Sequence, residues 1–232
     1  MIGPIADFPH LLNQLSGHMH PLRHDIPHLN GIYFEATGTH LYAVATDRHT
    51  LAVVKRPLEA GPEREWEAFV TADALKSVRA FVRLNRREPI YLDYVRGMYD
   101  DVLSVTAGRQ TLAVPTLDDQ ELGSPWRSDN PKWLWRNVLT DALAGAPDLR
   151  QEAHFSPRLL ARWGTAGGAV GHEPLTVWAA GPNRPLVIAC GTDFIGLHMP
   201  IRVDGSIVHP LKSIRADWAD LAPAASRDQH AA

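Results

Sequence analysis

The stretch that decides the fold has two parts: Leu29-Asn30-Gly31-Ile32-Tyr33-Phe34-Glu35 and Val44-Ala45-Thr46-Asp47-Arg48-His49-Thr50-Leu51-Ala52-Val53. Aliphatic, β-branched and aromatic residues dominate both parts, which is typical of half-buried strands. A turn at Thr37-Gly38 separates them, and a second turn follows Thr46, where the side chain of Asp47 is expected to anchor the backbone. We therefore predict three antiparallel strands here, over residues 31–35, 41–45 and 51–54.

Helical spacing of apolar residues predicts helices on both sides of these strands. The expected helices cover residues 8–19, 71–85 with Thr71 as N-cap, 134–143, and 156–163 with Ser156 as N-cap. Further strands are expected near residues 90–95, 102–106, 111–115, 175–179, 186–189 and 194–199, whereas residues 58–65 and 117–131 look like loops. The predicted fold class is α+β, with helices packed on antiparallel β-sheets.

The composition is that of an ordinary globular protein, with 232 residues, 45% of them hydrophobic and 21% charged. A net charge of −3 means that any DNA-binding surface must be local. The single cysteine, Cys190, cannot form an intrachain disulfide. The sequence shows neither a signal-peptide pattern nor an apolar run of ~20 residues, so we expect a cytoplasmic protein.

The two quoted parts closely resemble the middle domain of the bacterial β sliding clamp, the DNA polymerase III β subunit. That family carries an LNG…FE strand and an ATDGHRLAV strand at this separation; here Arg48 replaces the usual Gly and Thr50 the usual Arg. Residues 155–202, which end in Met199-Pro200-Ile201-Arg202, resemble the second half of the family's last domain, which ends in MPMR. Pro125-Trp126 stands at the family's interdomain connector.

The resemblance implies a DNA-clamp-like fold in a shortened form, because the family's first domain has no counterpart. It predicts a complete clamp-like domain over residues 1–127 and a shortened second one over residues 128–202. Residues 203–232 would be a partly disordered extension, in which residues 207–221 have helical spacing. Clamp rings contain six domains, so a closed ring would require a trimer; another homo-oligomer or a monomer is the alternative.

The resemblance also implies a function: a DNA polymerase processivity or accessory factor of DNA replication, not an enzyme and without a cofactor. It would bind duplex DNA without sequence specificity, and DNA polymerase or repair proteins through short linear peptides held in a hydrophobic interdomain pocket. The matching pocket positions are Leu29, Thr46, His49, Leu51, Pro125, Leu159, Met199, Pro200 and Arg202. Ordinary core and strand-end residues are the alternative interpretation of this set.

A second set of residues predicts the DNA contact from helical spacing. At ~100° per residue, five cations of the second helix fall within one arc, beside an apolar arc that would pack on the sheet. Two residues after the first helix and two on the last helix extend this set. The predicted DNA-binding residues are Arg23, His24, Lys76, Arg79, Arg83, Arg86, Arg87, Arg158 and Arg162. A solvated basic face is the alternative.

Three other functions remain open at this point. The N-terminal histidines could suggest a metal site, but Pro21 and Pro27 interrupt any continuous helix and no acidic cluster completes the site, so none is predicted. Asp47 and His49 could belong to an unrelated enzyme, although no nucleophile or phosphate-binding loop accompanies them. A stand-alone adaptor could bind peptides and modulate a host clamp without encircling DNA.

Overall fold

The computed structural model describes residues 1–21, 26–97, 101–117, 122, 125–126, 134–144, 154–167, 173–179 and 184–201. Within these ranges the helices are α1 (Phe8–Ser16), α2 (Ala72–Leu84), α3 (Trp135–Leu143) and α4 (Pro157–Leu160). Short 3₁₀ helices cover Pro27–Leu29 and Ala161–Thr165. The strands are β1 (Gly31–Ala36), β2 (His40–Thr46), β3 (Thr50–Pro57), β4 (Trp66–Thr71), β5 (Ile90–Val95), β6 (Val102–Ala107), β7 (Gln110–Pro115), β8 (Leu175–Ala179), β9 (Leu186–Cys190) and β10 (Phe194–His198).

All strand pairs are antiparallel and form two sheets. The larger sheet has the order β4-β1-β2-β3-β10-β9-β8, and the smaller has the order β5-β6-β7. The α+β class is thereby confirmed. The strand β4 lies in a segment that we expected only to lead into a helix, and it pairs with β1 from Gly31↔Thr71 to Ala36↔Trp66.

The pairing of β3 with β10 joins the first part of the chain to the last. Leu51 lies opposite Leu197, and Val54 opposite Phe194. The buried Arg56 forms an ion pair with Asp193, in the turn that precedes β10. Residues Met1–Pro200 form one compact unit. The division at residue 127 into a complete and a shortened clamp-like domain stays a prediction, and residues 203–232 lie outside the described ranges.

Two hydrophobic clusters hold this unit together. The first contains the apolar faces of α1 and α2, the inward residues of both sheets and Trp163. The second lies on the other side of the large sheet, where Trp126 of the connector and Trp135 of α3 cover Val44, Val53 and neighbouring residues of the strands. Among the described residues, α3 and the connector thus cover this side of the large sheet. No helix among the described residues has the length and hydrophobicity needed to span a membrane.

Candidate functional site

The candidate site is built on the turn between β2 and β3. Asp47 accepts hydrogen bonds at Oδ1 from the backbone N–H groups of His49 (3.0 Å) and Thr50 (2.8 Å) and from the Thr50 hydroxyl (3.0 Å). This agrees with the expected anchoring role of Asp47. Arg48 adopts a left-handed backbone conformation with φ of 75°, and its N–H donates to Thr46 Oγ1 at 3.2 Å. The turn therefore holds residues 48 and 49 exposed at the molecular surface.

A small pocket of about 100 Å³ lies beside this turn. Backbone hydrogen bonds assemble it from distant segments: Met199 N–H donates to His49 O at 2.8 Å, and Trp135 N–H donates to Pro125 O at 3.0 Å. Its walls are mostly apolar and its rim is polar. The lining residues are Thr46, Arg48, His49, Thr50, Leu51, Pro125, Trp135, Val138, Leu197 and Met199.

Five of the nine residues predicted for the peptide pocket meet here: Thr46, His49, Leu51, Pro125 and Met199. Three of the other four do not line it. Leu29 is fully buried in the core, Leu159 lies half-buried on α4, and Pro200 is half-buried after β10. Arg202 lies outside the described residues. Whether this pocket binds peptides stays a prediction.

Sequence reasoning missed the contribution of α3 to the pocket. Trp135 and Val138 stand one helical turn apart, and both line its wall. The sequence had placed both residues on the apolar face of an amphipathic helix, which indicates burial but not the surface that is covered. The position of Trp135 shortly after Pro125 was the available signal, since a large aromatic residue near the interdomain connector is well placed to cover the strands.

A buried polar network supports the turn from below. Arg162 forms an ion pair with Asp47 and has only 16% of its side chain exposed. Thr50 Oγ1 lies 3.1 Å from His18 Nδ1, and the His18 ring lies 4.4 Å from the Trp163 ring between centroids. Arg162 was expected to face DNA; instead its guanidinium is directed into the protein, where the Asp47 carboxylate pairs with it.

The charges of this network are set by burial and by Arg162. Burial lowers the pKa of His18 to about 4, and the positive charge of Arg162 acts in the same direction. Burial alone would raise the pKa of Asp47, but hydrogen bonds from Arg162 and the backbone of Thr50 outweigh it and lower that pKa. The pKa of His198, whose Nδ1 accepts a hydrogen bond from Trp163 Nε1 at 2.9 Å, is lowered mainly by burial. The network thus holds neutral histidines beside one compensated ion pair.

A second site lies between α1 and α2, where a groove of about 530 Å³ carries part of the predicted DNA-binding set. Lys76, Arg79, Arg83 and Arg86 line it, together with apolar and polar residues of α1. Arg79 is half-buried and donates to Leu12 O at 3.2 Å and to Ser16 Oγ, so it ties the two helices together. Lys76 forms an exposed ion pair with Asp73 at 2.7 Å.

The helix α2 ends at Leu84, close to the predicted end, so its regular basic face stops before Arg86. Asn85 caps the helix through a hydrogen bond from its N–H to Phe81 O at 3.1 Å. Arg86 and Arg87 therefore lie in the turn after the helix, where helical spacing does not apply. Arg158 is exposed on α4. Arg23 and His24 lie outside the described residues.

Metal and enzyme chemistry gain no support from the described residues. They contain no group of three or more His, Cys, Asp or Glu side chains that could hold a metal ion. Asp47 is committed to its turn and to Arg162, and it is not among the residues that line the pocket. His49 lines the pocket without the carboxylate partner that the alternative of an enzyme required.

Comparison with solved structures shows that the fold is shared with sliding clamps. No protein-family model matches the sequence, and no curated protein matches it. Solved structures do match. The DNA polymerase III subunit beta from Pseudomonas aeruginosa is 17% identical, with a TM-score of 0.56, and the match covers 84% of this chain and 64% of that one. The sliding clamp from Bacillus subtilis is 16% identical, with a TM-score of 0.57, over 85% of this chain and 63% of that one. The DNA polymerase III β subunit from Thermotoga maritima is 14% identical, with a TM-score of 0.59, over 93% of this chain and 65% of that one.

The chain spans about 64% of the length of these clamps, in agreement with the shortened form expected from the sequence. At such identities the likeness concerns the fold, and the fold was predicted from two motifs at opposite ends of the chain. The protein therefore has the fold of the bacterial DNA polymerase III β sliding clamps, over about 64% of their length.

Proposed function

We propose that this protein is a clamp-like accessory factor of DNA replication or repair, without enzymatic activity, that binds partner proteins through short peptides. The observation that carries the proposal is the pocket beside the β2–β3 turn. Five of its lining residues are positions that the family motifs predict for a peptide pocket. They come from β2, β3, the connector and the end of β10, which meet only in the folded chain.

The size and walls of the pocket suit a peptide side chain. Small-molecule sites usually enclose about 300–1,000 Å³, whereas this pocket encloses about 100 Å³. Leu51, Val138 and Leu197 supply apolar contacts for one aliphatic or aromatic side chain. His49 is exposed at the polar rim, where it can hydrogen-bond to a peptide backbone. The Thr46 hydroxyl is buried and donates to Thr50 O at 2.6 Å, so Thr46 contributes to the pocket wall. One anchoring side chain with backbone contacts gives modest affinity, which suits a factor that exchanges partners.

A lysine introduced into the pocket tests the peptide function. Met199 is 42% exposed, so Met199→Lys should fold, yet it places a charge where an apolar anchor must enter. Val177→Lys is the matched control, because Val177 is 44% exposed on the edge strand β8 and does not line the pocket. We expect Met199→Lys alone to lose binding of C-terminal peptides from a replicative polymerase, measured by fluorescence anisotropy. Equal binding by both variants would remove the pocket from the proposal.

The second part of the proposal is contact between the α1–α2 groove and the phosphates of duplex DNA. Arg83 and Arg86 are exposed in this groove. Phosphate contacts make affinity fall with salt, and each lost contact reduces the slope of log K against log salt by about 1. We expect Arg83→Ala/Arg86→Ala to bind duplex DNA more weakly and with a slope smaller by about 2. Arg109→Ala, in the β6–β7 turn, should leave the slope unchanged.

A peptide-binding adaptor that does not use DNA is the second candidate function. Two of the predicted DNA-binding residues, Arg79 and Arg162, are engaged inside the protein, and the net charge is −3. Both observations argue against a strongly basic DNA-binding surface. Peptide binding without salt-dependent DNA binding would favour the adaptor. The solution mass, measured by light scattering, distinguishes the trimer that a closed ring would require from a monomer or another homo-oligomer.

A further inference from the structure

The rim of the pocket carries positive charge without a compensating carboxylate among its described lining residues. Arg48 and His49 line the pocket, and no Asp or Glu does. The nearest acidic side chain in the sequence, Asp47, is buried and already paired with Arg162. His28 lies close to Arg48: its pKa is lowered mainly by burial, and the positive charge of Arg48 acts in the same direction. Arg48 therefore places a positive charge at the rim of the pocket.

The backbone at Arg48 is unusual for an arginine. Its φ of 75° falls in the left-handed region, which glycine adopts without strain and which other residues adopt at a cost. The strain is held by neighbouring contacts: Thr46 Oγ1 accepts the Arg48 N–H, and Asp47 binds the two backbone N–H groups that follow. A strained residue on a well-held turn is a reason to look for a function of its side chain.

We propose that Arg48 is a specificity residue of this pocket, selecting peptides that carry an acidic side chain next to the apolar anchor. The inference rests on the proposed peptide binding and names the class of peptide that the pocket prefers. The apolar anchor enters beside Leu51 and Leu197, while the adjacent carboxylate of the peptide pairs with the guanidinium at the rim. Because the β2–β3 turn is braced by Arg162 from below, Arg48 is presented with little freedom of its backbone, which limits the entropy lost on binding.

Two fluorescein-labelled, C-terminally amidated hexapeptides test this proposal: Gly-Asp-Asp-Leu-Leu-Gly and its neutral counterpart Gly-Asn-Asn-Leu-Leu-Gly. An exposed ion pair is worth little, so we expect the acidic peptide to bind roughly 2- to 5-fold more tightly at low salt. The preference should shrink as the ionic strength rises. Binding is measured by fluorescence anisotropy up to about 1 mM protein.

Two variants separate the charge of Arg48 from its backbone. Arg48→Asn keeps a residue that tolerates the left-handed conformation but removes the charge, and it should bind both peptides equally. Arg48→Lys keeps the charge and should retain most of the preference. Equal affinity of the native protein for both peptides, or a preference that survives in Arg48→Asn, overturns the proposal while leaving peptide binding intact. Failure of both peptides to bind, together with failure of the polymerase peptides, overturns the peptide function itself.

Discussion

The ion pair between Asp47 and Arg162 should dominate the stability of the candidate site. Asp47→Asn retains the Oδ1 acceptor for His49 and Thr50 but turns an amide N–H₂ toward the guanidinium, which leaves a largely buried charge unpaired. Removing one partner of a buried pair costs about 3–5 kcal/mol, and the side chain of Arg162 keeps 16% of its surface exposed. We therefore expect a loss of about 3 kcal/mol for Asp47→Asn.

Arg162→Met should cost less, about 2 kcal/mol, because the Asp47 carboxylate keeps three hydrogen bonds to the turn. The double variant removes both charges and should cost about 3 kcal/mol, well below the sum of the single changes, which gives a coupling of about 2 kcal/mol.

Urea unfolding of the four proteins measures this cycle. For a chain of this length, about 3 kcal/mol corresponds to a fall in Tm of roughly 6–12 °C, which thermal unfolding checks independently. If the two single changes add to within about 0.5 kcal/mol, the pair does not act as the structure indicates. The pKa of Asp47 is lowered in the folded protein. The stability that the Asp47 carboxylate contributes is accordingly present above the unfolded pKa of about 3.9, and it is lost as the pH falls through the folded pKa.

Three further predictions concern the core around the site. Because the pKa of His18 is about 4 in the folded protein, the unfolded chain takes up this proton first as the pH falls below about 6.5. Neutral His18 should therefore contribute roughly 3 kcal/mol of stability above about pH 6.5, and this contribution should be lost as the pH falls to about 4. Urea unfolding at several pH values measures the loss, and the dependence of the unfolding free energy on pH should be weaker in His18→Gln. Gly196→Ala would place a Cβ against the Trp163 ring and 2.7 Å from Leu51 O, so we expect a loss of about 1–3 kcal/mol. Gly164→Ala meets no atom within 4 Å and serves as its control in thermal unfolding. Trp126→Phe removes the hydrogen bond from Nε1 to His28 O and should cost about 1–2 kcal/mol in urea unfolding. Trp66→Phe should cost less, because the buried Trp66 Nε1 has no hydrogen-bond partner in the part of the chain that the structure describes. Equal costs would contradict the bond from Trp126 to His28.

The elements that sequence predicted well are those in which one periodic pattern decides the structure. The strands β1 to β3 and the helix α2 have strong patterns, and the structure agrees with them. The strand β4 was missed because half of its residues are only partly buried and it leads directly into α2, so its alternation is weak. The cap at Asn85 ends α2, so the helical spacing that predicted one basic face does not extend to Arg86 and Arg87.

The candidate site was predicted only where family motifs named its residues. Thr46, His49 and Met199 were expected together because the motifs placed them together, not because spacing did. The wall formed by Trp135 and the burial of Arg162 depend on contacts between residues far apart in the chain. For Arg162 the competing partner, Asp47, lies 115 residues earlier. A basic residue on a helix can face DNA or an internal carboxylate, and local sequence does not distinguish the two.

The pairing of β3 with β10 has a consequence for the protein during its synthesis. Val54 is synthesised 140 residues before Phe194, so β3 lacks β10 as its second neighbouring strand until then. At about 5–20 residues per second, a ribosome needs roughly 7–28 s to cover that distance. Throughout this interval the apolar strand β3 lies at an open sheet edge, where it can pair with another nascent chain. Synthesis of the intervening residues is thus a period in which the nascent protein is exposed to aggregation through β3.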